Sequence, residues 1–303
     1  MTYIKHIFPL LLLFICSSAY AQSKNIYGRI TDNSGTGIPY AVIQLKEKPE
    51  KGVHCDEHGR FSFSVSNNIK AINIWCVGYE KREFTLTKTK DSLIIVLQRK
   101  HYQMEAAHIK APKGNVKTGV LGKKNIDNKM LGYDCWASSR YGREMALFLP
   151  ANTKRNGVLK EVFFYVTDRG IPKTKFRIHV YAYDSVKRAP GIELTTQNIV
   201  VHADTGNEWV NADLSNMNIP LGKGIFISAE WIEGHDNDPK LWSISGSHAQ
   251  GQVLGLTKDY WNYGYITFDR KIFETEWDWA PYPSAQKRHV LNLMAYATYR
   301  YIK

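Results

Sequence analysis

GRITDNSGTGIPYAVIQLKEKPEKGVHCDEHGRFSFSVSNNIKAINIWCVGY, residues 28–79, is the stretch on which the fold turns. Gly28-Arg-Ile-Thr-Asp32 alternates in polarity and runs into a turn. Gly37-Ile-Pro39-Tyr-Ala41-Val-Ile-Gln-Leu45 is a turn feeding a second strand, with Val42 and Ile43 supplying β-branched bulk. Gly52-Val-His-Cys-Asp56-Glu-His-Gly59-Arg-Phe61-Ser-Phe63 reads as strand, acidic-glycine turn, and strand with Phe on alternate positions. Ile72-Asn-Ile74-Trp75-Cys76-Val77-Gly78-Tyr79 is a mostly apolar strand that ends on a glycine.

Taken in this order, the four pieces resemble the carboxypeptidase-regulatory-like domain of exported Bacteroidetes proteins, including the front end of many TonB-dependent receptors. The resemblance covers roughly Ile26 to Leu97 and implies a small transthyretin-like β-sandwich. It implies no peptidase activity, because the likeness is to the accessory domain of carboxypeptidases and not to their zinc domain. Cys55 departs from the pattern, which more often has Thr there.

Upstream, residues 1–21 read as a signal peptide. Lys5 and His6 precede an apolar run, Ile7 to Ile15, that is too short to span a bilayer, and Ala19-Tyr-Ala21 supplies the small-x-small cleavage signal. Ile15 before Cys16 fits a lipobox poorly, so cleavage after Ala21 is expected rather than lipidation. The expected location is the periplasm or the outer-membrane surface, with no transmembrane segment after cleavage. The formal charge of +12 is scattered along the chain. In an exported protein that argues against nucleic acid and leaves acidic polysaccharide, lipopolysaccharide or a solvated surface. Three cysteines follow the leader, Cys55, Cys76 and Cys135, an odd number that excludes full pairing. Cys55 and Cys76 fall in one sandwich, as a pair or as small buried hydrophobes; the second reading is the simpler.

Downstream, Leu93 to Leu97 closes a sandwich spanning 22–99, and residues 100–130, with seven lysines, Pro112, Gly114, Gly119 and Gly122, read as a basic linker with one short strand at Glu105 to Ile109. Residues 131–303 are all β in pattern: Val158 to Tyr165, Lys175 to Tyr183, Ile199 to Val201, Glu208 to Leu214, Gly224 to Trp231 and Leu291 to Tyr301. The expectation is a larger antiparallel sandwich of jelly-roll type. Gly142-Arg-Glu144-Met-Ala146, Phe176-Arg-Ile-His-Val-Tyr181, Trp209 to Leu214 with Asn218-Ile219, and Glu230-Trp231 resemble the C-terminal half of small secreted Bacteroidetes proteins that carry the same first domain. That resemblance implies no activity.

The chemistry is sparse. His54-Cys-Asp-Glu57-His58 spells an inverted zinc-protease motif, but that motif needs a helix, and here Gly52, Gly59 and strand patterns bracket it. Lys117-Thr-Gly119 and Ser284-Ala-Gln-Lys287 match penicillin-binding-protein fragments in reversed order. No nucleophile elbow, phosphate loop or dinucleotide fingerprint occurs. Two loops remain. Glu233, Asp236 and Asp238 offer oxygens of the kind Ca²⁺ takes, as a structural calcium site or as a polar Asn/Asp/Gly turn. Trp261, Asn262, Tyr263, Trp277, Asp278 and Trp279 combine flat rings with short polar groups, as a sugar platform or as core. The expectation is a non-catalytic exported envelope accessory protein, binding glycan or a partner protein such as a TonB-dependent receptor or a surface complex. The alternative is a hydrolase with an unrecognised active site.

Overall fold

The computed structural model describes residues 23–86, 92–100, 115–124, 130–134, 143–152, 157–232, 242–244, 247–249, 251–257, 266–271, 280–281 and 292–302. Among them the chain is all β apart from a 3-10 turn at Ser215–Met217. No helix among them is long and apolar enough to cross a membrane.

Seven strands build the first sandwich: β1 (Ser23–Thr31), β2 (Val42–Leu45), β3 (Lys48–His54), β4 (Arg60–Ser66), β5 (Ala71–Trp75), β6 (Arg82–Thr85) and β7 (Leu93–Val96). One sheet runs β4-β1-β7, with β1 and β7 parallel; the other runs β3-β2-β5-β6 and is antiparallel. Alternation directs Ile26, Ile30, Ile43, Phe61, Ile72, Ile74 and Ile95 into the space between them.

The turns follow the chemistry of their residues. Asp56 Oδ1 accepts from the backbone N–H groups of His58 and Arg60 at 2.8 and 2.7 Å. Gly59 has φ +77°, and a Cβ there would lie 2.3 Å from the Ile30 carbonyl, so only glycine fits. Cys55 and Cys76 are unpaired and buried in the core. The Cys55 thiol donates to Ile38 O at 3.2 Å and accepts from Ala41 N at 3.0 Å, a dual role that a Thr hydroxyl could also fill.

The second sandwich takes β8 (Val116–Gly122), β9 (Met130–Asp134), β10 (Arg143–Pro150), β11 (Val158–Gly170), β12 (Phe176–Asp184), β13 (Ala189–Glu193), β14 (Ile199–Val201) and β15 (Glu208–Asp213). It continues with β16 (Gly224–Trp231), the small hairpin of β17 (Trp242–Ile244) and β18 (Ser247–Ala249), then β19 (Gln252–Thr257) and β20 (Thr267–Lys271). The last strands are β21 (Ala280–Pro281), β22 (Asn292–Leu293) and β23 (Ala295–Ile302). One sheet runs β13-β12-β16-β10-β20-β21, with β14 also on β12. The other runs β22-β19-β11-β23-β8, with β15 on β11 and β9 on β19. Their facing sides meet in a core that includes Leu147, Phe164, Phe176, Ile178, Ile227 and Leu254. Composition reads 100–130 as a linker, yet residues 116–122 pair with β23 from Val116↔Ile302 to Gly122↔Tyr296. The glycines that suggest a linker serve packing here: a Cβ on Gly119 would meet the Tyr299 ring at 2.4 Å. The short strand expected at 105–109 lies outside the described residues.

Candidate functional site

The central strands of the β13-to-β21 sheet are buried on both faces. On β16, Ile225, Ile227, Ala229 and Trp231 point into the core, so Phe226, Ser228 and Glu230 point outward, yet all of them are buried. The same alternation turns Arg177, His179 and Tyr181 outward on β12, and Glu144 and Ala146 outward on β10. Strand register aligns these residues in rows. One row reads Arg270, Glu144, Glu230, Arg177 across β20, β10, β16 and β12, a cation at each end and two carboxylates between. The next reads Phe268, Ala146, Ser228, His179.

Glu230 is the hub of this face. Its Oε2 accepts from Arg177 Nη1 at 3.0 Å and from His179 Nε2 at 2.7 Å; its Oε1 accepts from His54 Nε2 at 2.9 Å. Burial opposes its charge, but Arg177 and the two histidine hydrogen bonds hold the carboxyl well below the usual carboxylate range. His179 places Nδ1 2.6 Å from Glu193 Oε1 and Nε2 2.7 Å from Glu230, so both ring nitrogens must donate and the ring is an imidazolium. Burial would lower its pKa; Glu144, Glu193 and the two hydrogen bonds override this and push it up to about 10. Glu193 is held below its ordinary value, burial being outweighed by His179 and a 2.6 Å hydrogen bond from Thr195. Arg270 binds Glu144 Oε2 through Nε at 2.8 Å and Nη2 at 2.5 Å, and Tyr181 donates to Glu144 Oε1 at 2.8 Å.

This face is where the two sandwiches meet. His54 ends β3 of the first domain with its side chain wholly buried against Glu230 of the second. Arg177 donates through Nη2 to the Tyr40 carbonyl and through Nε to Asn198 Oδ1 at 2.8 Å. Asn198 in turn donates to the Pro39 carbonyl at 2.8 Å. Nearer the surface, Lys175 Nζ reaches both Tyr40 OH and Glu57 Oε2 at 2.6 Å. Gly78, at φ +85°, lies so close to the second domain that a Cβ would stand 2.7 Å from the Thr196 carbonyl.

Beside this contact a cleft of about 380 Å³ opens between the domains. Residues 75–81 and Lys100 of the first domain form one wall; Arg177, His179, Glu193, Glu230 and Arg270 form the floor. Trp75 and Tyr79 are among the wall residues; Lys81 Nζ lies over the Trp75 ring, 5.0 Å from its centre, and Tyr79 also packs against the first core with Arg99 over its ring. Cys76 is also a lining residue, and burial pushes its thiol up to about 11.

The zinc-like motif takes the strand-turn-strand setting that its glycines predict. His54 ends a strand, while Glu57 and His58 sit on the exposed turn that follows it. Among the described residues no three His, Cys, Asp or Glu side chains are grouped to hold a metal ion. Trp261, Asn262, Tyr263, Trp277, Asp278 and Trp279, and the oxygen ligands Glu233, Asp236 and Asp238, all lie outside the described residues. The sequence shows Glu144, Arg177, His179 and Glu230 only inside a resemblance that implies no activity, and Arg270 in no motif, so none of them stands out there as a site. The signal available was their number and their balance of sign on strands otherwise rich in large apolar residues.

Residues 26–109 match the family described as CarboxypepD_reg-like domain. No curated protein matches the chain. Among solved structures, the clostridial cysteine protease Cwp84 after propeptide cleavage is 11% identical, with a TM-score of 0.38 over 61% of this chain and 40% of that one. The cysteine protease and lectin-like domains of Cwp84, a surface-layer-associated protein of Clostridium difficile, are 12% identical, with a TM-score of 0.35 over 52% of this chain and 32% of that one. The chain thus spans less than half the length of either clostridial structure.

Proposed function

We propose that this is a non-catalytic exported protein of the cell envelope in which the regulatory-like domain and the second sandwich form one unit and bind glycan in the cleft between them. The observation that carries the reading is the cleft itself. It is set at a domain junction and takes its lining from both sandwiches, Trp75 and Tyr79 from the first and the paired groups Arg177, His179, Glu193, Glu230 and Arg270 from the second. An aromatic ring suits the C–H face of a sugar, and the floor suits its hydroxyls. The ionisable groups beside it are occupied in structure: Glu230 by Arg177 and two histidines, Glu193 by His179, and Glu144 by Arg270. A carboxylate held below its ordinary pKa by buried cations is a weak general base, which favours binding over hydrolysis. The aromatic segments around Trp261 and Trp277 belong to the same proposal as a second sugar contact, and Glu233, Asp236 and Asp238 as a calcium-fixed loop.

Export rests on Ala19-Tyr-Ala21. Sequencing the N-terminus of protein from the envelope fraction should find Gln22; an intact Met1 or a lipid on Cys16 would refute it. Binding is tested by probing a glycan array with the mature chain, then repeating with Trp75→Ala. The expected result is retention of one sugar class by the wild type and its loss in the variant, with folding unchanged. Release of free sugar by the wild type, or capture of a protein partner with no glycan retained, would overturn the proposal.

A further inference from the structure

We infer that the cleft selects an anionic saccharide, one whose ring carries a carboxylate or phosphate, through Lys81 and Lys100 at its mouth. This rests on the proposal that the cleft binds glycan and adds to it the chemistry of the ligand. Five cationic side chains line the cleft, Lys81, Lys100, Arg177, His179 and Arg270, against the three carboxylates Glu80, Glu193 and Glu230. The two floor carboxylates are neutralised where they stand. Glu230 accepts from Arg177 at 3.0 Å and from His179 at 2.7 Å, and His179 also covers Glu193 at 2.6 Å. An entering anion therefore meets a floor whose charges are already paired, with Lys81 and Lys100 beside Glu80 at the mouth.

The cations are also placed for the task. Lys81 Nζ lies over the Trp75 ring, 5.0 Å from its centre, so an acid group on a sugar held at the edge of that ring comes within reach of the ammonium. Lys100 is positioned by its backbone, whose N–H donates to Gly78 O at 2.9 Å. Glu80 N donates to Gln98 O at 2.9 Å, and Tyr79 bridges to Arg99, so the wall segment and the segment bearing Lys100 are stitched together as a fixed pair. The net charge of +12 adds a long-range attraction for acidic ligands.

The test is titration calorimetry of the mature chain with three probes: trigalacturonate, neutral galactotriose and galactose 6-phosphate. At least one anionic probe should bind about tenfold or more tightly than galactotriose, as charge-assisted contacts allow. That preference should shrink as salt is raised from low to physiological ionic strength. Lys81→Gln with Lys100→Gln should bring the ratio of anionic to neutral affinity down to about one, whatever it does to galactotriose binding itself; both positions are exposed, so the fold is kept. Tighter binding of the uronate or of the phosphate identifies which acid group is taken. Equal affinity for neutral and anionic probes, unmoved by the lysine changes, would overturn the anionic selectivity while leaving glycan binding intact. If neither these probes nor any glycan on the array binds, the underlying proposal fails instead.

Discussion

Replacing Glu230 by Gln tests the central claim that a buried charged network clasps the two sandwiches. The side chain is 2% exposed and accepts from Arg177, His179 and His54. Glutamine keeps the volume but loses the charge. It also sets an amide NH₂ against groups that are themselves donors, because Arg177 Nη1 and the imidazolium Nε2 have only N–H to offer. Arg177 and His179 would remain buried with their shared anion gone. Breaking a buried pair from one side typically costs about 3–5 kcal/mol, far more than the pair contributes against an apolar replacement. For a chain of this size each kcal/mol moves the midpoint by roughly 2–4 °C, so the melt should fall by about 10 °C. The assay is thermal and urea unfolding of the mature wild type and variant, followed by near-UV signal. Lys46→Gln is the control, since its 2.7 Å contact with Glu83 is exposed and worth under about 1 kcal/mol. A Glu230→Gln loss no larger than that of the control would refute the reasoning, because it would mean that water reaches the network.

Other outcomes follow from the same groups. His179 rises from its ordinary value to about 10 on folding, so its contribution is complete below about pH 6.5 and disappears as pH climbs through 10. Glu230 and Glu193 are lowered, so theirs is complete above the ordinary carboxylate range and fades as pH falls below it. Urea midpoints measured from pH 3 to 10.5 should therefore peak between about 4.5 and 6.5, and His179→Gln should flatten the alkaline decline; an unchanged decline would contradict the assignment. Gly78→Ala should cost about 2 kcal/mol or more by forcing a Cβ against the Thr196 carbonyl in a left-handed conformation, read as a lowered melt and as earlier protease cutting between the sandwiches. With Cys135→Ser in place, native mature protein at pH 8 should alkylate about a hundredfold more slowly than unfolded protein, since burial lifts Cys55 to about 12 and Cys76 to about 11. Ca²⁺ should raise the melt of the wild type but not of Asp236→Asn, and equal shifts in both would remove the calcium site.

The first sandwich was legible because its information is local. Asp56 and Gly59 form the turn their types dictate, Phe61 alternates with solvent-facing Ser62, and the order of strands follows from turns at readable intervals. The second was legible as strands and as an all-β class, but its pairing was not. That Arg177 aligns with Glu230, 53 residues away, is a fact of register that no window of sequence contains. The stretch 116–122 failed for a related reason. Thr118, Gly119 and Gly122 carry little apolar signal, and their strand is defined by the tyrosines of β23 against which they lie. His54 was noticed for the wrong chemistry. Its spacing to His58 suggested metal, whereas its partner is a carboxylate on another domain.

Why charges bind these sandwiches together, rather than apolar groups, follows from how each half would behave alone. An apolar docking face of this extent would be sticky before docking and indifferent to rotation after it. A row ordered cation, carboxylate, carboxylate, cation is neither. While separate it can be hydrated. In contact it accepts one position, because Glu230 Oε1 must meet His54 and Arg177 must meet the Tyr40 carbonyl. The two central carboxylates, Glu144 and Glu230, are neighbours across β10 and β16 and would repel if left alone. Arg270 relieves one from within the sheet. The other is relieved by Arg177, whose guanidinium also reaches the Tyr40 carbonyl, and by His54 of the first domain. The second sandwich thus presents a carboxylate whose full set of donors exists only when the first is docked. The cleft lies at that junction and takes its floor from the same residues. The geometry of the cleft is therefore set by the clasp, and loosening one should loosen the other.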